Sequence, residues 1–331
     1  MHIIKPSYYD TFHCIASACP DSCCKEWDVL VDAQRAAFYR ALPGELGDRL
    51  RRWLKDEDGE TFMLLENRRC PMWRADGLCR IQAELGEEAL CETCRAFPRL
   101  THDYGDFVEY GLELSCPEAA RLILSSPEHR LIVQEVPGGE EPEYDTADME
   151  ILLRTREAAR AILSDSARTV GERLSLLLLY AEHAQNALNC GEAAPFEKED
   201  ARLAAAKTCA IPDDAADILN FFKGLEILTP DWAARLEAPS PAPWEPRHLM
   251  IARYFVDRYW LQAISDYDLL GRAKLAVISC LVIKALGADT LRTAQSYSKE
   301  IENSIENVEA ILDAAWDNPA FAEERLLGLL L

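Results

Sequence analysis

The chain has 331 residues, 49% hydrophobic and 28% charged, with a net charge of −22 at pH 7. That is long enough for a sizeable core and for two domains, and the hydrophobic share is ordinary for a globular protein. The acidic balance argues against nucleic acid and against an anionic membrane as main partner, since both are bound by clustered Lys and Arg. An acidic surface suits a cationic partner such as lysine side chains, or it serves solubility alone.

Met1–Pro6 lacks a basic start followed by an apolar run, so no signal peptide is expected. The apolar runs Leu174–Tyr180 and Leu275–Leu286 are too short or too interrupted to span a bilayer. A cytoplasmic location is therefore expected. Residues 1–31 read as irregular or short-stranded. Asp32 is a candidate N-cap for a helix over Ala33–Leu42, which Pro43 and Gly44 end. A helix over Glu45–Lys55, a turn at Asp56–Gly59 and a strand over Thr61–Leu65 follow. Cys70-Pro71 and Asp76-Gly77 have turn chemistry. Ile81–Leu85 and Glu87–Ala96 predict helical pieces split by Gly86, and Pro98 ends the second. Phe107–Leu114 alternates as a half-buried strand does, and Pro117 suits the first turn of a helix.

Val136–Glu143 is rich in Pro, Gly and Glu and marks a boundary or surface linker. Beyond it the spacing predicts helices over Asp148–Leu163, Ala167–Leu188, Lys198–Thr208 and Asp213–Leu228. After a proline-rich connector at Pro239–Pro246 come Arg247–Ile264, Leu269–Leu286 and Asp289–Trp316. Tyr254, Phe255, Tyr259 and Trp260 fall at helical spacing and are expected in the core. The expected fold is mainly α: a cysteine-rich, metal-organised N-terminal region with a few short strands (1–135), then an all-helical C-terminal bundle (145–331).

Nine of the twelve cysteines lie between Cys14 and Cys116: Cys14, Cys19, Cys23, Cys24, Cys70, Cys79, Cys91, Cys94 and Cys116. The others, Cys190, Cys209 and Cys280, are scattered. In a reducing compartment such clustering points to metal ligation ahead of redox thiols or disulfides. Cys91 and Cys94 form a CxxC whose thiols share one helix face, and Cys116 sits at a helix start that favours thiolate. Four thiolates suit zinc or an iron–sulfur cluster equally, and nine exceed one site. His13 and His102 stand alone and read as ordinary surface or supporting residues.

These residues resemble the flagellin lysine-N-methylase family, within a wider group of CxxCxxCC-type zinc- or iron-chelating proteins. The matching pieces are Phe12–Trp27, Cys70-Pro71, Gly77–Gly86, Leu90–Arg99, Leu114–Leu122 and Tyr267–Val277. The resemblance implies transfer of methyl groups from S-adenosylmethionine to flagellin lysines, with a four-iron, four-sulfur cluster on these cysteines and zinc as the alternative. Two features depart from familiar donor sites. No Gly-rich loop follows a strand, and Cys23 is followed by Cys24, so a radical triad is not matched.

Lysine nitrogen must lose a proton before it attacks the sulfonium methyl, so a carboxylate or tyrosine beside the thiols is wanted. Tyr110, Glu113 and Asp103 are the catalytic candidates, and Glu118 reads more simply as a helix-start charge. Arg95 and Arg99 are candidates to steady a cluster or the donor's carboxylate, and Trp27 to wall a cation. The competing reading is a non-catalytic zinc- or iron-chelating module whose helical half binds a partner. A redox enzyme using Cys91 and Cys94 is a third.

Overall fold

The computed structural model describes residues 1–27, 29–126, 130–191, 199–208 and 215–331. Its first part runs β1 (His2–Pro6), β2 (Val29–Leu30), α1 (Ala33–Ala41), α2 (Gly44–Trp53), β3 (Leu54–Glu57) and β4 (Glu60–Met63). Then come α3 (Arg80–Leu85), α4 (Glu92–Ala96), β5 (Arg99–Asp103), β6 (Phe107–Leu112), α5 (Pro117–Leu124) and β7 (Leu131–Glu135). The strands form two small sheets, ordered β5-β6-β1-β7 and β2-β4-β3. In the first, β1 pairs parallel with β6 and antiparallel with β7.

Asp32 caps α1 as expected, its carboxylate accepting the Arg35 N–H at 2.9 Å. The helix expected to reach Lys55 stops at Trp53, because Leu54 and Lys55 pair with Met63 and Phe62 across a hairpin. Asp58 and Gly59 close that hairpin, both at positive φ (50° and 88°). This is the Asp-Gly pair that a tight two-residue loop favours. The hairpin replaces the simple turn and single strand of the expectation. Strands β5 and β7 were not expected. Each is short, and β7 is an edge strand with exposed Ile132 and Val133, so neither alternates strongly enough to read.

From Thr146 on, every described element is helical: α6 (Thr146–Ser164), α7 (Val170–Cys190), α8 (Glu199–Thr208), α9 (Ala216–Lys223), α10 (Pro230–Glu237), α11 (Pro246–Tyr259), α12 (Leu269–Leu286), α13 (Thr290–Ile301), α14 (Ile305–Asp317) and α15 (Glu323–Leu330). Lys198, Cys209, Asp213 and Asp214 lie outside the described residues. The helix expected to reach Leu228 ends at Lys223. Thr229 then caps the separate helix α10 through the Trp232 N–H at 3.1 Å. The single helix expected over Asp289–Trp316 is two, since Ser304 starts α14 by accepting the Asn307 N–H at 3.3 Å. No helix among the described residues is long and apolar enough to cross a membrane.

Helix α12 is the axis of this body, with sixteen of its eighteen residues buried. A helix apolar on all sides has no solvent face and must be wrapped. Helices α7, α11, α13 and α14 wrap it. Each fully buried Leu or Ile there contributes about 1.5–3 kcal/mol of transfer free energy. The large core also takes in Phe107, Leu112 and Leu114 around β6, and Ala119 and Ile123 of α5. A second, smaller core of Val29, Val31, Tyr39, Leu50, Met63, Met72, Ile81 and Leu90 underlies most of the cysteines. Tyr254, Phe255, Tyr259 and Trp260 are buried as expected.

Candidate metal centre

Three stretches of chain deliver cysteines to one place, and backbone hydrogen bonds align them. The Cys70 N–H donates to the Cys24 carbonyl at 2.7 Å, and the Glu26 N–H to the Arg68 carbonyl at 2.9 Å. The chain then folds back on itself. Trp73 N–H reaches the Cys70 carbonyl at 2.9 Å, and Arg80 N–H reaches the Met72 carbonyl at 2.7 Å. Gly77, at φ 82°, makes this reversal in a conformation other residues resist. Cys79 is thereby returned beside Cys70. Helix α4 docks on β2 through Thr93 Oγ1 to the Leu30 carbonyl (2.8 Å) and Glu92 N–H to Asp32 (3.0 Å). Asp32 thus serves the first turns of both α1 and α4, and this fixes the height of the Cys91–Cys94 pair.

The result is a cavity of about 80 Å³ lined by Cys23, Cys24, Cys70, Cys79, Cys91 and Cys94. Trp27, Tyr39, Met72 and Phe97 complete its wall. Trp27 is held there by its indole N–H on the Cys23 carbonyl (3.0 Å) and by Phe97, whose ring lies 6.0 Å away. Tyr39 turns its hydroxyl away, to the Ala89 carbonyl at 2.7 Å. The remaining three cysteines sit to one side. Cys19 lies in the field of Cys14 and Cys23, and Cys116 in that of Cys19 and Cys23. Cys23 therefore stands between the two groups.

The thiols perturb one another. Cys91 and Cys94 share a hydrogen bond that lowers Cys91 and raises Cys94, so one of the pair is readily a thiolate. Cys23 is raised first by its bond to Cys24 and then by burial, although solvent reaches its outer face. Burial pushes Cys70 and Cys116 up to about 11. The N–H groups of Ile81 and Gln82 favour the thiolate of Cys79, without outweighing its burial or closing a capping bond. Crowded, desolvated sulfurs of this kind are poorly placed as isolated anions and well placed as ligands to soft metal.

The donor set bears on which metal. Among the described residues no carboxylate or imidazole lines the cavity, and the thiols that do suit zinc or iron–sulfur. Among the described residues no group of three or more His, Cys, Asp or Glu is spaced to hold a single ion.

Beside Cys19 and Cys116 the cysteine head meets the helical body in a groove of about 530 Å³. Helix α13 clamps the two cysteine loops together here. Gln295 donates to Asp21 at 3.1 Å and to the Ser115 carbonyl at 2.7 Å, and Lys299 reaches Asp21 (3.1 Å) and Glu26 (2.8 Å). Burial raises the Asp21 carboxyl, but Lys299 and Lys25 outweigh it and hold the group below its ordinary range. Glu26, Glu118, Asp231 and Asp289 also line the groove. Behind it lies a buried polar network. Glu302 pairs with Arg258 at 3.0 Å and accepts from Tyr259 at 2.9 Å, Tyr254 at 3.1 Å and Ser298. Tyr254 in turn accepts the Leu114 N–H at 3.3 Å, fixing the loop that carries Cys116.

The chain is 34% identical over 133 residues to the Flagellar biosynthetic protein FliU of Salmonella muenchen, 38% of this chain and 79% of that relative. The chain belongs to the flagellin lysine-N-methylase family. It is also 34% identical over 133 residues to proteins named Lysine-N-methylase from Salmonella typhimurium and Salmonella choleraesuis. There the aligned stretch spans 33% of the relative's length. No family model matches the chain, and no solved structure does.

In this member of the family the candidate residues are dispersed. Trp27 lines the cysteine cavity. Arg95 projects from α4 into solvent. Arg99 lies over the Phe12 ring at 5.2 Å, and Tyr110 stacks on Tyr9 at 5.6 Å, so both belong to the β5-β6 sheet. Asp103 is exposed and closes a turn by accepting the Gly105 N–H at 2.9 Å. Glu113 is the catalytic candidate beside a cysteine loop. Its carbonyl accepts the Cys116 N–H at 3.3 Å and its carboxylate takes the Ser115 hydroxyl at 2.6 Å. Burial raises its carboxyl despite nearby Arg258. His102 is half-buried and lines a cavity beside Arg258. Its Nε2 is buried without a partner, and burial followed by Arg258 pushes its pKa down to about 4. Asp21, Gln295 and Lys299 were not anticipated. Asp21 was visible as the one acid between Cys19 and Cys23, but nothing local links it to α13.

Proposed function

We propose that the chain is a protein-lysine N-methyltransferase that moves a methyl group from S-adenosylmethionine to flagellin lysine side chains, with an iron–sulfur cluster in the cysteine head. The observation that carries this reading is the convergence of six cysteines on one cavity, in a chain akin to proteins named Lysine-N-methylase. Cys70, Cys79, Cys91 and Cys94 would hold the cluster, with Cys23 and Cys24 at its edge. When bound, the cluster would supply a rigid core that ties the three cysteine stretches together.

The transfer itself is a displacement. The lysine nitrogen lone pair forms the new N–C bond, the S–C bond breaks, and its electron pair stays on sulfur as neutral S-adenosylhomocysteine. A base must take the ammonium proton beforehand to free that lone pair, and the product forms as a methylammonium cation, the positive charge passing from sulfur to nitrogen. The groove beside Cys19 and Cys116 is the proposed lysine entry. Its carboxylates attract an ammonium group, and Glu113, raised by burial and bonded to Ser115 in the Cys116 loop, is the proposed base. Asp21 and Lys299 position the loop and do not exchange the proton.

Anaerobic purification followed by iron and sulfide analysis, a visible spectrum and transfer of labelled methyl to flagellin tests this. A brown protein that labels lysine is expected. A colourless zinc protein of full activity overturns the cluster, and a metal-loaded protein that labels nothing overturns the methyltransferase. That second outcome would leave a chelating module with a partner-binding body, a reading favoured by identity covering only 38% of the chain.

A further inference from the structure

The sequence holds 57 acidic residues against 35 Lys and Arg. Guanidinium groups left without a carboxylate therefore need a reason. One cleft gathers them. It has a volume of about 600 Å³ and lies where the last turns of α6, the start of α7 and the first turns of α11 meet the start of β7. Arg130, Arg160, Arg173 and Arg253 line it, and among the described residues Glu157 is the single lining carboxylate. None of the cysteines borders it.

Following each charge shows how little is neutralised. Arg160 takes both available acids, Asp257 at 2.6 Å and Glu157 at 3.6 Å. Arg173 bonds only carbonyl oxygens, those of Arg168 (2.9 Å) and Leu163 (3.3 Å). Arg253 reaches the Ser164 hydroxyl at 3.4 Å, and its Nε is buried with no partner. Arg130 is exposed, and no ion pair satisfies it among the described residues. Among the described residues four cations thus meet two anions, both on Arg160. Burial and then Arg160 disfavour the charged form of Arg253, which is the cost a bound anion would relieve.

Pro246, Leu249, Met250 and Arg253 share one face of α11, and that face forms one wall of the cleft. The competing carbonyls at the end of α6 are covered by Arg173. Leu163, Leu249 and Met250 supply an apolar wall alongside the cations.

We propose that this cleft binds a phosphate-bearing small molecule, with Arg253, Arg173 and Arg130 on the phosphoryl oxygens and the apolar part against Leu163, Leu249 and Met250. Planar guanidinium forks match phosphoryl oxygens two at a time, which a lone lysine does not. The site is independent of the chemistry at the cysteines.

Isothermal titration of the metal-loaded full chain with sodium pyrophosphate at low ionic strength tests it. One saturable site per chain is expected. Arg253→Gln should weaken it at least tenfold and Arg130→Gln severalfold. Because Arg130 is exposed, its replacement leaves the fold intact. Arg292→Gln, in the groove beside the cysteines, should change nothing. Absence of saturable binding, equal affinity in the Arg130→Gln/Arg253→Gln protein, an equal loss in Arg292→Gln, or tighter binding of citrate than of pyrophosphate would overturn the assignment.

Discussion

Lys299 joins the cysteine loop to the helical body by charge, through Asp21 and Glu26. All three are largely sheltered from water, so removing the cation leaves Glu26 without Lys299 and Asp21 with Lys25 alone. Lys299→Ala should cost about 2–4 kcal/mol at neutral pH, the range for breaking a sheltered ion pair. The pH dependence has a definite sign. Asp21 is held below its ordinary value, so its contribution is present above that value and fades as pH falls through the lower, folded one. Urea midpoints of parent and variant should therefore converge below about pH 4. Glu300 behaves oppositely. Burial raises it to about 7 from an ordinary 4.5, and its Oε1 has no hydrogen-bond partner. Its protonated form belongs to the fold, so stability is full below 4.5 and is lost as pH rises through about 7. Glu300→Gln keeps an acceptor for the Leu228 N–H and should be the more stable protein at pH 8, with no advantage at pH 5.

At the scale of elements, the helical body depends on one close approach. A Cβ on Gly171 would fall 2.0 Å from the Leu330 carbonyl oxygen, so α7 and α15 touch backbone to backbone there. Gly171→Ala should push α15 off and cost about 1–3 kcal/mol, the usual range for overpacking. Chemical denaturation would measure the loss, and limited proteolysis should first cut near residues 318–323. The cysteine head depends instead on short elements. Helices α3 and α4 span six and five residues, too short to persist alone. Their register comes from Asp32, Thr93 and the turn at Gly77, and Asp32→Ala should release α4 as well as uncapping α1.

At the scale of the molecule there are two cores of unequal size. The large one is centred on an axis helix and needs no further support. The small one has eleven buried residues, one of them Cys91, and adjoins the six-cysteine cavity. If a cluster occupies that cavity, bleaching it with an oxidant and chelator should raise amide exchange across residues 29–94 while α12 stays protected. Equal protection before and after would show that the head holds together through its own contacts.

Much of the architecture could be read from local pattern. The Asp32 cap, the Asp-Gly turns, the helices α6, α7, α11 and α12 and the buried aromatics Tyr254, Phe255, Tyr259 and Trp260 are decided within a few residues, by propensity and by apolar spacing. So was the grouping of the cysteines, because reactive side chains at such density are legible in any fold. Strands β5 and β7 were not legible, since an edge strand with few buried positions leaves no alternation. Nor was the division of the cysteines, six about one cavity and Cys14, Cys19 and Cys116 beside a groove. That division depends on α13 reaching back through Gln295 and Lys299 to Asp21, nearly the length of the chain away. Contacts of that separation are set by how α12 packs its neighbours, and no local sequence rule contains them. The sequence alone determined which residues carry chemistry; only the tertiary packing decided which of them stand together.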